Sequence, residues 1–257
     1  VIAHPGHELR VYGWLETARP IVFVLTDGSG RSGISRLDRT ASIISQVGAS
    51  AGGIFGRFTD AAIYAAILGG DFALFHRLVD ELSLSFNTHD IDYVAGDATE
   101  GYNPAHDLCR LILNAAVRTC RLRWNRQIAN FDFLLAVRPD EGDLARLSRA
   151  LRIELDEAGF QRKIQAASSY AELSDEIEAA TKQNGLSSFR KEYLRPVCRS
   201  RPGYVFTEPP FYERYGEEQV AAGAYARVLR YREHMLPIAA ALERHVKRKS
   251  LVCPAAS

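Results

Sequence analysis

Along the first 137 residues, runs with strand character alternate with stretches whose apolar residues recur at helical spacing. Val1-Ile2-Ala3 is a short apolar run read as part of a strand, with His4 at its carboxyl end. Pro5-Gly6 marks a turn, after which Leu9, Val11, Tyr12 and Leu15 predict a helix with His7 at its entrance and Glu8 as a favourable charge in its first turn. The β-branched and aromatic run 21–25, bounded by Pro20 and by Thr26-Asp27-Gly28, predicts a buried strand. A second helix starts at Ser35 or Asp38, carries Leu37, Ala41, Ile44 and Val47, and stops at Gly48. Beyond a passage rich in glycine (Gly52, Gly53, Gly56), helices are predicted over 60–68 and 72–86, a strand over 91–95, a helix over 105–120 and a strand over 131–137. Such alternation specifies an α/β fold with an open, mostly parallel sheet.

From Gly142 the pattern changes to charged amphipathic stretches at 143–158, 161–173, 174–183, 187–194 and 217–247, with a Pro/Tyr-rich loop at 201–215. Strand signals almost vanish there. The expected organisation is therefore a core over residues 1–140 and a mainly helical extension over 141–257 that packs on the core and covers its site. In the loop, Tyr212, Glu213 and Arg214 combine aromatic and charged side chains of the kind that contact sugar faces and hydroxyls, and they are expected to approach the pocket.

Composition narrows the partners more than it narrows the fold. The 257 residues are 47% hydrophobic and 25% charged, ordinary globular values. The 32 basic and 31 acidic residues are interspersed, which leaves no field that favours nucleic acid or an anionic membrane. Cys109, Cys120, Cys198 and Cys253 lie far apart without C-x-x-C spacing, so neither a disulfide framework nor a thiolate zinc site is indicated. No run reaches the roughly 18 to 20 apolar residues that span a bilayer, and no signal peptide is visible. The expectation is a cytoplasmic protein with a small-molecule or sugar substrate, its oligomeric state left open.

Two motifs compete for the site. Gly28-Ser29-Gly30-Arg31-Ser32-Gly33 satisfies G-x-G-x-x-G, but it follows the second strand rather than the first. It also lacks the acidic residue that closes the next strand about 20 positions on, since Asp60 is too late. A flexible loop at the sheet edge is the preferred reading, without a gripped nucleotide. The second motif begins with His4 and His7 and needs a third ligand. His76 and His245 fall on amphipathic helices, His89 in a turn and His234 in a charged helix. His106 differs: it follows the strand end at Ala95-Gly96-Asp97 and the turn-rich GYNP, and it opens a helix. Three imidazoles at the carboxyl ends of neighbouring strands suit a borderline metal with one position left for water; a pair of polar histidines lining a crevice is the alternative.

The stretch AHPGHE resembles the AHPDDE signature of the PIG-L/LmbE-like zinc-dependent N-deacetylases, and EGYNPAHD resembles their later HPDH element. LTDGSG, followed by a helix ending in VGA, stands between them as in that family, and RKIQAASSYAEL is similar to its late K-x-x-A helix, with Tyr170 in place of the more usual histidine. The resemblance implies a Rossmann-like fold, one Zn2+ per chain held by His4, His7 and His106, and removal of an acyl group from an N-acylated amino sugar or related conjugate. His7 stands where the family has an aspartate ligand. Gly6 stands at the position of the aspartate general base, and Asn103 at that of the histidine that opens HPDH.

With the usual base replaced by glycine, Asp27, Asp97 and Glu100 are the candidate proton carriers, and Glu8 and Glu213 weaker ones. Tyr102 is a candidate for polarising a substrate carbonyl. Arg36 matches an arginine that contacts substrate in the family, and Asn103 is a further substrate contact. Two other functions remain open: metal-dependent acyl transfer or amide formation on a sugar acid, and a deacetylase fold that has become a binding protein.

Overall fold

A computed structural model describes residues 1–30, 32–197 and 206–251, with side chains up to residue 249. Among these, no single helix is long and apolar enough to cross a membrane. The protein is α/β, as the alternation predicts, and it divides into two compact units made of non-consecutive segments. The first comprises Val1–Ala61, Ala95–Ala98 and Phe131–Val197; the second comprises Ala62–Val94, Thr99–Asn130 and Cys198–Ser257.

In the first unit, β1 (Ile21–Thr26) is buried along almost its whole length, as an apolar run bounded by turn residues requires. It is flanked on one side by residues 1–3. Ile2 N–H donates to Phe23 O at 2.9 Å, Leu25 N–H to Ile2 O at 2.9 Å and Thr26 N–H to Ala3 O at 2.9 Å, a short parallel ladder. On its other side β1 pairs in parallel with β2 (Ser50–Phe58), with irregular register between Val22 and Val24 and again between Val24 and Thr26. The glycines that hid β2 from the sequence reading explain its shape. A Cβ on Gly52 would lie 2.5 Å from the Phe23 ring, so glycine lets that ring pack against the strand. Helix α1 (Tyr12–Ala18), entered through a 3-10 turn at His7–Val11, and α2 (Leu37–Gln46) supply Val11, Tyr12, Leu15, Ile43 and Ile44 to a core shared with Ile2, Val22, Val24, Ala95 and Phe133.

The remaining strands form a second sheet of order β3-β4-β6-β5, where β3 is Tyr93–Asp97, β4 Ala129–Phe133, β5 Leu151–Glu154 and β6 Lys191–Pro196. Both β4 and β5 pair with β6 in antiparallel register. This corrects the helical reading of 143–158 and 187–194, in which the helical parts are the four-residue α6 (Leu144–Leu147), the first two residues of the helix Glu157–Ser168 and a 3-10 turn at Leu186–Arg190. The reason is chemical: charged residues of β6 face inward and are paired there. Arg195 donates to Asp132 at 2.8 Å. Glu192 is fully buried and accepts from Lys163 Nζ at 2.8 Å on α7 (Glu157–Ser168), from Gly13 N–H at 2.9 Å and from Trp14 N–H at 3.0 Å. One carboxylate thus neutralises a buried ammonium and caps the positive end of α1.

The second unit is helical. Between the tail of α3 (Asp60–Gly69) and α10 (Leu236–Leu251) it contains α4 (Phe72–Thr88), α5 (Pro104–Trp124) and α9 (Phe211–Ala221). Buried residues such as Ile67, Phe75, Leu78, Leu108, Leu113, Ile238 and Val246 make its core. Asn103 caps α5, accepting from Ala105 N–H at 2.8 Å, and Pro104 occupies the first turn where its missing N–H costs nothing. The amphipathic stretch at 174–183 is α8 (Ser174–Asn184), which belongs to the first unit.

Glu192→Ala strands the Lys163 ammonium and uncaps α1. Removing one partner of a buried pair costs about 3–5 kcal/mol, and a loss of that size is expected in chemical denaturation; a loss below about 1 kcal/mol would show that Glu192 carries no such charge.

Candidate functional site

The first unit gathers polar side chains at the carboxyl ends of its strands, the edge where open α/β sheets bind ligands. His4 follows residues 1–3, Thr26 ends β1, Asp97 ends β3, and Asp60 comes two residues after β2. His4 Nδ1 lies 2.7 Å from Thr26 Oγ1 and 2.9 Å from Asp60 Oδ1. Thr26 Oγ1 donates onward to Ala3 O at 3.1 Å, which leaves it to accept from the imidazole. His7 Nδ1 lies 3.0 Å from Asp97 Oδ2, an oxygen that also accepts from Ala3 N–H at 2.7 Å. The two rings meet edge to face, centroids 5.2 Å apart. A carboxylate beside each Nδ1 favours the tautomer with the proton there and makes Nε2 the basic nitrogen.

Burial governs the charges. It pushes His7 below the ordinary histidine range against the pull of Asp97, and His4 and Arg36 push the same way. Burial alone would raise Asp97, but His7 and the Ala3 N–H hold it below the usual carboxylate range. Asp60 is likewise raised by burial and more than compensated by His4, Thr26 and Gly30 N–H, so it stays ionised. The result is a His7 disfavoured as a cation beside an ionised Asp97, with the second carboxylate, Asp60, at His4.

Next to this pair, Gly6 has φ of 102°, a left-handed conformation, and a Cβ there would lie 2.5 Å from Leu173 Cδ1. The place that resemblance assigns to a base is thus packed with an aliphatic side chain. Gly6 N–H donates to Glu8 Oε2 at 2.8 Å, and Tyr170 O–H donates to Glu8 Oε1. The Tyr170 hydroxyl also lies 2.6 Å from Thr40 Oγ1. Burial raises the Glu8 carboxyl above its ordinary range despite these contacts. Tyr170 therefore ties the histidine turn to α2 and to the segment after α7.

The glycine loop is folded onto the protein's own carboxylates. Ser29 N–H donates to Asp27 Oδ1 at 2.9 Å and Gly30 N–H to Asp60 Oδ2 at 2.6 Å, which spends its amides and places anions where a phosphate would sit. Arg31 lies outside the described residues. Arg36 runs over Gly28 beside Pro5: a Cβ on Gly28 would lie 2.8 Å from both Arg36 Nε and Pro5 Cδ.

The other nominated residues belong to the second unit. His106 is buried in the first turn of α5, and Asp107 beside it accepts from Glu100 N–H at 3.0 Å. Asn103, besides its cap, accepts from Tyr64 O–H at 3.1 Å. Tyr102 is 50% exposed and stacks on Phe211. Tyr212 is buried, and its N–H donates to Gly101 O at 3.2 Å. Glu213 is buried and accepts from Tyr231 N–H at 2.6 Å, while Arg214 is exposed. Residues 201–205 of the nominated loop, with Cys198 and Cys253, lie outside the described residues.

His4, His7, Asp97, Asp27 and Arg36 thus share the first unit, and His106, Glu100, Tyr102, Asn103, Tyr212, Glu213 and Arg214 the second. Among the described residues, no group of three or more His, Cys, Asp or Glu side chains is placed to hold a metal ion. The donor chemistry of His4 and His7 nonetheless fits zinc: both are imidazoles oriented through Nδ1 by a carboxylate, the outer-shell arrangement of metal-bound histidines. Asp60 is the residue that sequence reasoning passed over. Its signal was its place directly after a strand, and the glycines of β2 concealed that strand. No protein family, no curated protein and no solved structure matches the chain.

Gly6→Asp is expected to lose stability rather than gain a base, since a left-handed backbone costs a non-glycine residue about 1–3 kcal/mol. Thermal melts of Gly6→Asp and Gly6→Ala should fall together; an aspartate variant as stable as the parent contradicts this packing.

Proposed function

We propose that the protein is a zinc-dependent hydrolase that removes an acyl group from an N-acylated amino sugar or a related conjugate. The observation that carries this reading is the pair of imidazoles, His4 and His7, each anchored through Nδ1 to a buried carboxylate at a strand end. His4 and His7 would hold the metal. Bound zinc lowers the pKa of water and polarises an amide carbonyl. Asp60 and Asp97 fix the two rings and keep their basic nitrogens directed away from the carboxylates. Arg36, whose Nε is buried without a hydrogen-bond partner among the described residues, offers a donor to a substrate oxygen. Amide hydrolysis consumes one water and yields a carboxylic acid and a free amine, so a proton must be passed to the leaving nitrogen. Of the nominated carboxylates in the first unit, Asp97 orients the His7 ring through Oδ2, which also accepts from Ala3 N–H, whereas Asp27 accepts from Ser29 N–H and orients neither imidazole, which makes Asp27 the better carrier.

The Leu173 contact at Gly6 favours a second reading, a binding protein on a deacetylase fold, because an aliphatic wall stands where a base is needed. Metal analysis with a screen of N-acyl sugars separates the two. About one zinc per chain is expected in the parent, with loss of metal in His4→Ala and His7→Ala and release of free amine from at least one N-acyl sugar. Asp27→Ala should keep the zinc and lose about 10²-fold or more in turnover. Stoichiometric zinc with no turnover on any substrate supports the binding protein, and a parent that takes up no zinc removes both metal readings.

A further inference from the structure

Two histidines on amphipathic helices of the second unit meet each other across it. His76 on α4 and His245 on α10 stack face to face, with centroids 4.2 Å apart and planes within 7°. His76 Nε2 lies 3.3 Å from Ala241 O; a carbonyl can only accept, so the neutral ring carries its proton on Nε2 and donates it to α10. His245 Nε2 lies 2.8 Å from Asp80 Oδ1 and donates back to α4. Lys249 Nζ, one turn further along α10, reaches the other oxygen of that carboxylate at 2.9 Å. The stack thus ties α10 to α4 by one hydrogen bond in each direction, on helices whose Val79, Leu242 and Val246 are buried.

We infer that this stack is an acid-sensitive clasp, which holds α10 on α4 while His76 is neutral and loosens when its Nδ1 takes up a proton. The surroundings oppose that charge. From α10 the ring faces His245, and Arg248 acts on it as a further cation. From α4 the attracting carboxylate is Asp80, which already serves His245 and Lys249. Helix α5, packed against both, brings Arg118, which is committed to Glu243 of α10, while Arg77, Arg244 and Lys247 are exposed. Burial, and then His245 and Arg248, hold the His76 imidazole below the ordinary histidine range against the pull of Ala241 O and Asp80. An opened chain therefore takes up this proton at higher pH than the closed clasp does. The clasp is fully effective above the ordinary histidine pKa of about 6.5 and weakens as the pH falls below it. A second proton on the stack sets like charges about 4 Å apart, which disfavours the closed form by a factor of about five even at the dielectric of water. The clasp is independent of the hydrolase reading, since both rings lie in the second unit and His4 and His7 in the first.

The test is amide hydrogen exchange of the 257-residue chain at about pH 7.5 and about pH 5.5, on either side of the ordinary histidine pKa, corrected for intrinsic exchange rates. Protection of α10 in the parent is expected to fall about fivefold or more at the lower pH. His76→Phe keeps a flat ring in the stack and cannot titrate, so α10 in that variant should be equally protected at both pH values. Equal protection in the parent, or a loss that persists in His76→Phe, overturns the clasp. The His76 ring, followed by NMR in the parent, gives a readout that does not depend on the variant folding. It should titrate below the ordinary histidine value, and His245→Phe, which removes the facing cation, should raise it. A His76 that titrates at or above the ordinary value in the parent, or one that His245→Phe leaves unchanged, overturns the clasp as well.

Discussion

Three buried carboxylates hold the backbone of the first fourteen residues, and the histidine pair exists because they do. Asp97 accepts the N–H of Ala3, Glu8 that of Gly6, and Glu192 those of Gly13 and Trp14. Each acceptor has a second partner: Asp97 meets His7, Glu8 meets Tyr170, and Glu192 meets Lys163. A buried carboxylate without such partners carries a desolvation penalty of several kcal/mol, so every one of these contacts is needed by the next. The segment that presents His4 and His7 is thereby pinned from both sides of the turn at Gly6.

The same logic explains what the sequence revealed and what it hid. The strand at 21–25, the helices at 60–68, 72–86 and 105–120 and the strand ending at Asp97 were legible, because their apolar residues follow the periodicity of the elements they form. β2 was hidden because Gly52 makes room for the Phe23 ring, and β5 and β6 because their charges read as the solvent face of a helix. Arg195 and Glu192 point inward, and their partners Asp132 and Lys163 lie 63 and 29 residues away, beyond any local pattern. At the site, His4 and His7 stood out by spacing, and Asp97 by its place at a strand end. Asp60 and Tyr170 could not be assigned, since their roles arise from contacts with His4 and Glu8 across the fold.

Gly6 joins these observations to chemistry. Its left-handed backbone permits the N–H to reach Glu8 while His4 and His7 turn toward each other, and Leu173 closes the space a side chain there would need. This glycine is therefore part of the architecture. In the hydrolase reading proposed above, the proton carrier is therefore sought elsewhere, at Asp27, which directly follows β1 and accepts from Ser29 N–H through one oxygen.

The central claim is that His4 and His7 are metal-binding imidazoles oriented by Asp60 and Asp97. X-ray absorption at the zinc edge of the zinc-loaded protein tests it most directly. The account predicts imidazole scattering from at least two rings at about 2.0–2.1 Å, reduced by one ring in His4→Ala and again in His7→Ala. A spectrum with no imidazole contribution, or one that neither substitution changes, would contradict it.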